Sequence, residues 1–225
     1  MSASVWVYFT AFNYGASGYN QIFGKRNSVQ TINFITLLVS QATPNGGQWT
    51  FQNRATNIGS LSLNTWTHLG ASYDSVAGSF AYINGVLSGS NSTTNGAIGS
   101  DNGDNFWIGA DDPGSGATTP DVIIADLATW RCTLSAAEIY ALSKGARPDQ
   151  IRGTTAMIAW WRLDGYGHPA LDRISGRGGV LTGTTFATGP PLLNAAPILA
   201  SQPFRNDPMI FIPPPVFVLM PQIVT

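Results

Sequence analysis

The chain has 225 residues, 44% of them hydrophobic and 11% aromatic, which suits one large domain with a substantial core and excludes disorder over most of its length. Charged residues make up only 10% and the formal net charge is -1, so there is no electrostatic footprint for a phosphate backbone, and nucleic acid is excluded as a partner. The single cysteine, Cys132, rules out an intrachain disulfide and a cysteine-based metal site.

Val5, Val7 and Phe9 alternate with Trp6 and Tyr8, so the chain opens in a strand. The residues around Met1 form neither a basic nor an apolar leader, and the expectation is a protein that is not exported by a signal peptide. Further strands are expected at 20–25, 31–39, 48–54, 66–73, 79–83, 86–88, 106–110 and 122–131. Turn clusters such as Pro44-Asn45-Gly46-Gly47 and Asp112-Pro113-Gly114 separate them. Asn84-Gly85 is the strongest local signal, a two-residue hairpin turn. One helix is expected near 135–144: Ser135 and Glu138 form a capping box, Ile139 and Leu142 continue an apolar stripe, and Gly145 with Pro148 ends it. A strand returns at 157–163, before a glycine-rich loop.

Residues 190–225 differ in composition, holding nine of the fourteen prolines and two charges, Arg205 and Asp207. Proline excludes a helix there, and the prolines at 213–215 and 221 interrupt the apolar run before it could span a membrane. The expectation is an extended arm whose Phe204, Phe211, Ile212, Phe217 and Leu219 lie against another polypeptide. Many short strands with regular turns give the fold class: an all-β, antiparallel two-sheet jelly-roll sandwich with one short helix and a C-terminal arm.

The run from Trp66 through Asp74, then Phe80 to Val86, resembles the central hairpin of laminin-G-like jelly rolls in the concanavalin A-like lectin/glucanase superfamily. Phe106-Trp107-Ile108-Gly109, the strand from Ile124 to Trp130 and the segment Leu134 to Ile139 are similar to the later strands and helix of such domains, so the resemblance covers roughly 3–145. Trp160-Trp161-Arg162-Leu163-Asp164-Gly165, with Asp172 and Ser175-Gly176, resembles the usual opening of the domain but comes after the helix. The resemblance therefore implies a domain over 1–189 in which 157–163 fills the first-strand slot, with 190–225 as the arm. The same order is similar to phage-associated proteins of the family.

The superfamily includes glycoside hydrolases, whose glucanase members carry paired glutamates in an E-x-D-x-x-E pattern. This chain has one glutamate, Glu138, already explained by the helix cap. Asp101 with Asp104, and Asp111 with Asp112, sit in glycine-rich turns where local hydrogen bonding explains them. There is no G-x-S-x-G motif. His68 reads as a hydrogen-bonded sheet histidine, His168 has no evident partner, and Cys132 reads as a small buried residue. No catalytic residue is assigned, and the expectation is a protein that is not an enzyme.

Relatives bind calcium at loops on the sandwich edge. Asp101, Asp104, Asp111 and Asp112 are the oxygen ligands such a site would draw on, although the distal glutamate of a known calcium loop is missing. No other cofactor is expected. Seven acids and no Lys or Arg lie between Arg54 and Arg131, while seven bases lie from Arg131 to Arg177. That asymmetry suits either scattered solubilising charge or head-to-tail contact between copies. Trp6 and Tyr8, opposite Val5 and Val7, are the residues on which a sugar ring could stack, with the buried face of the strand left open by the pattern. The expected function is a structural, capsid-decorating or tail-associated subunit of a phage-like virion, made in the host cytoplasm and contacting other virion proteins and copies of itself. The alternative is a lectin-like module that binds surface glycans.

Overall fold

The computed structural model describes residues 1–12, 14, 18–26, 33–41, 45–94, 96, 98, 105–110, 121–152, 154–164, 170–181, 184, 185, 187, 189 and 190, with 26, 33 and 34 described through their backbone alone. In chain order the strands are β1 (Ser2–Phe9), β2 (Tyr19–Arg26), β3 (Asn33–Ser40), β4 (Gly46–Phe51), β5 (Arg54–Ser60), β6 (Thr67–Asp74), β7 (Gly78–Ile83), β8 (Val86–Asn91), β9 (Phe106–Ile108), β10 (Val122–Trp130) and β11 (Met157–Trp161). Two short helices, α1 (Ala136–Ser143) and α2 (Pro148–Ile151), lie between β10 and β11.

The strands form two antiparallel sheets, one of six strands in the order β11-β10-β1-β6-β7-β8 and one of five in the order β5-β4-β3-β2-β9. Period-two alternation sends Val5, Val7 and Phe9 of β1 and Leu69 and Ala71 of β6 between the sheets, where Leu127 of β10 joins them. There they meet Ile22, Phe23, Leu37, Trp49 and Phe51 of the smaller sheet. Most of these side chains are wholly buried, and each large one contributes roughly 1.5–3 kcal/mol relative to exposure.

A second apolar cluster lies on the other face of the six-stranded sheet, where Ile139 and Leu142 of α1 pack with Tyr82, Ala128, Trp130, Met157 and Trp160. Gly70 makes room for this helix, since a Cβ there would sit 2.6 Å from Ile139 Cγ2. The capping box is formed: Ser135 N–H donates to Glu138 Oε2 at 2.7 Å and Glu138 N–H donates to Ser135 Oγ at 3.3 Å.

Two expectations are corrected. The single strand over 48–54 is β4, a turn in which Gln52 and Asn53 have φ of 44° and 63°, and β5. Strand β5 escapes the sequence pattern because only Thr56 and Ile58 are buried along Ala-Thr-Asn-Ile-Gly-Ser. Pro148 does not merely close a helix but opens a second one, α2, at a first-turn position where its missing N–H costs nothing. The strand expected at 157–163 is β11, paired with β10 at the sheet edge. Its Trp160 N–H and the N–H of Ile174 both donate to Asp172 Oδ1, which draws the Asp172–Ser175 turn onto that edge.

Candidate functional site

The outer face of the six-stranded sheet carries Ser2, Ser4, Trp6 and Tyr8 from β1. Helix α1 covers the Ser2–Ser4 end, and Ser2, Ser4, Ser72, Ala128 and Trp130 are buried beneath it. Among the described residues no helix covers the Trp6–Tyr8 end, and four rings cluster there. Trp6 is paired with His68 across β1 and β6, their rings edge to face with centroids 5.2 Å apart. Tyr8 and Trp66 meet one step further along, at 5.6 Å. Trp6, Tyr8 and Trp66 each keep part of their surface in solvent.

His68 is fully buried, with Nε2 2.8 Å from the Ser4 hydroxyl. Among the described residues its Nδ1 has no hydrogen-bond partner. Burial lowers its pKa to about 3, so the ring is neutral at physiological pH and supplies a dry wall for Trp6, not a charge.

On the other flank of β1 the register breaks. Ser4 faces Ala128 but Trp6 faces Ala125, so Asp126 and Leu127 together oppose Val5, with Asp126 at φ of 47°. This β-bulge turns Asp126 to the outer face. Its Oδ1 accepts the Trp160 indole N–H at 3.1 Å, and among the described residues no hydrogen bond reaches Oδ2. The Arg147 guanidinium lies over the Trp160 ring at 5.7 Å, and Arg162, whose carbonyl accepts the Asp126 N–H, pairs with Asp164 at 2.9 Å. Burial pushes the Asp126 carboxyl above its ordinary value, against the opposing pull of the Trp160 hydrogen bond, Arg162 and Arg147. The rings of Trp6, Tyr8 and Trp66 thus share the outer face with the Asp126 carboxylate of the neighbouring β10 bulge, a combination able to stack on the apolar face of a sugar ring and accept from its hydroxyls.

Of the residues singled out in the sequence, Trp6 and Tyr8 are brought together here. Trp66 and Asp126 join them without having been assigned to a site. Asp101, Asp104, Asp111 and Asp112, His168, and the arm residues Phe204, Phe211, Ile212, Phe217 and Leu219 lie outside the described residues. Among the described residues no group of three or more His, Cys, Asp or Glu is placed to hold a metal ion. Cys132 is partly exposed at the margin of the second cluster, not buried as expected. Glu138 is engaged by Arg152 as well as by the cap. Within the basic half, Arg147, Arg152 and Arg162 pair with Asp149, Glu138 and Asp164 of the same half.

Two stacked antiparallel sheets with the chain entering at a central strand define a jelly-roll sandwich of the lectin type. A profile of the concanavalin A-like lectin/glucanases superfamily matches residues 1–140, and the chain belongs to that family. No curated protein sequence matches it. A Bacteroides ovatus protein assigned as carbohydrate binding has the same fold at a TM-score of 0.59 and 16% identity, over 76% of this chain and 48% of its own. A Trypanosoma rangeli sialidase gives a TM-score of 0.49 at 16% identity, over 63% of this chain and 22% of its own. The receptor binding domain of botulinum neurotoxin type G gives 0.47 at 22% identity, over 64% and 37%. At these identities the likeness is one of fold, and the chain spans about half of the Bacteroides protein and about a fifth of the sialidase.

Proposed function

We propose that the chain is a non-catalytic glycan-binding module that holds its ligand on the open end of the outer face of the six-stranded sheet. The observation that carries this reading is that three partly exposed aromatic side chains, Trp6, Tyr8 and Trp66, share one sheet face with Asp126 of the adjoining β10 bulge, whose Oδ2 has no hydrogen-bond partner among the described residues. Rings bind the C–H face of a sugar, and a partly desolvated carboxylate accepts strongly from hydroxyls. The Bacteroides protein assigned as carbohydrate binding supports the reading by analogy of fold. Glycoside hydrolysis needs two carboxyl groups about 5–9.5 Å apart across the scissile bond, and the only glutamate is tied up in the α1 cap with Arg152. The test is a glycan array, then titration of tryptophan fluorescence. Trp6→Ala should weaken binding by roughly tenfold or more while thermal unfolding still shows a cooperative transition. Full affinity in the double variant Trp6→Ala/Tyr8→Ala would refute the site.

A second reading, a virion subunit held by the arm at 190–225, rests on the proline-rich apolar composition of that segment. The aromatic and acidic outer face favours the glycan reading. Deleting 190–225 separates the two: a lectin keeps its sugar affinity, whereas an assembly subunit loses association with its particle.

A further inference from the structure

Resting on that reading, we infer that the ligand is an uncharged oligosaccharide laid along β1, with a terminal sugar on Trp6 beside Asp126 and the next unit on Tyr8 and Trp66. Same-face side chains on a strand repeat about every 6.5–7 Å, so Trp6 and Tyr8 are successive platforms and not one. Their surroundings differ. Trp6 lies opposite Ala125, whose methyl group leaves the way open to Asp126 in the adjoining bulge. Tyr8 lies opposite Ile123, which offers no hydrogen bond. The first platform therefore fixes orientation, and the second supplies stacking alone.

The two ends of the platform row set the direction of the ligand. Beyond Trp6 the next outer-face residue is Ser4, buried where α1 packs, with Arg147 over Trp160 beside it. No sugar can continue that way. Beyond Tyr8 the strand ends at Phe9, and exposed Thr10 comes next. One end of the ligand must abut the helices and the rest must run outward.

The preference for an uncharged ligand comes from the charges around the first platform. Two guanidinium groups, Arg147 and Arg162, face three carboxylates, Asp126, Asp149 and Asp164, so the balance is 2 − 3, one negative charge in excess. Both of these guanidinium groups are already paired, and the unbalanced Asp126 carboxylate would repel the carboxylate of a uronate or sialate.

The experiment uses the full chain and a matched series of neutral mono-, di- and trisaccharides, with the uronic acid counterparts, read by calorimetry. The disaccharide should bind roughly tenfold tighter than the monosaccharide, and the uronates should bind more weakly than their neutral partners. Tyr8→Ala should remove most of the advantage of the disaccharide over the monosaccharide. Asp126→Asn should weaken both about equally. Equal affinity for mono- and disaccharide, an undiminished disaccharide advantage in Tyr8→Ala, or tighter binding of uronates would each overturn the inference while leaving glycan binding in place. Absence of binding to every neutral and acidic member would overturn the functional reading itself.

Discussion

A carboxylate held at a bulge, partly withdrawn from water and near the Asp164 carboxylate, weakens a fold at neutral pH. Burial is the main reason that the Asp126 pKa is raised, and linkage fixes the sign. Above the folded pKa the charged form is penalised in the native state, and the penalty fades as pH falls through the raised folded pKa and is gone below the unfolded value of about 3.9. Asp126→Asn should therefore be at least as stable as the parent at pH 7, because asparagine also tolerates positive φ and can still accept from Trp160. Urea unfolding at pH 7 and pH 3 should show that advantage shrinking in acid, and a clear loss of stability at pH 7 would mean that the charge serves the fold. Glu138 has the opposite sign. Burial pushes its carboxyl up, but hydrogen bonds from Arg152 and Ser135 outweigh this and hold it below the ordinary value. Its contribution is present above the unfolded pKa, near 4.3, and is lost as pH falls through the lower folded one. Glu138→Ala should cost about 1 kcal/mol at pH 7, and the deficit should narrow as the parent is acidified below pH 4.

Elements were legible in the sequence where local chemistry sets them and obscure where a neighbour does. The Asn84-Gly85 turn was plain from two residues, and it forms with φ of 50° and 82°, the geometry a type I′ turn requires. Asn84 Oδ1 also accepts the His68 N–H at 2.9 Å, which anchors the β7–β8 hairpin to β6. Strand β10 was found, but its phase was not. Val122 and Ile124 pack toward the main core, and simple alternation would send Asp126 there too; the bulge instead gives Leu127 that place and turns Ala128 and Trp130 outward. Nothing in Val-Ile-Ile-Ala-Asp-Leu-Ala-Thr-Trp announces that shift, which is set by pairing with β1. The site was half visible for the same reason: Trp6 and Tyr8 show their common face by alternation, whereas Asp126 reaches it only through the bulge. Gly85 joins two elements, since a Cβ there would lie 2.5 Å from Ser143 Oγ and 2.9 Å from the Tyr140 Cα of α1. Gly85→Ala should cost about 2 kcal/mol or more, through positive φ and displaced helix backbone, measured as a lower urea midpoint.

At the scale of the whole molecule the two long sides of the sandwich are closed by different forces. Strands β5 and β8 meet through hydrogen bonds, Asn91 Nδ2 donating to the Ala55 carbonyl at 2.7 Å and Gly59 N–H to Ser88 Oγ at 2.9 Å. They approach so closely that a Cβ on Gly89 would be 1.9 Å from the Asn57 carbonyl oxygen. On the opposite side β9 reaches β11 through the stacked rings of Phe106 and Trp161, 4.9 Å apart. The resemblance to lectin-type sandwiches foretold two sheets but not these closures, which depend on residues far apart along the chain. Among the described residues the molecule is thus bound like a book, with a stitched spine and a fore-edge held shut by the contact of two rings. Apolar contact loosens on cooling and under pressure far more than a pair of polar stitches does. Amide exchange near 5 °C should quicken first in β9 and β11 while β5 and β8 stay protected, so the pages would part at Phe106 and Trp161 with the spine intact.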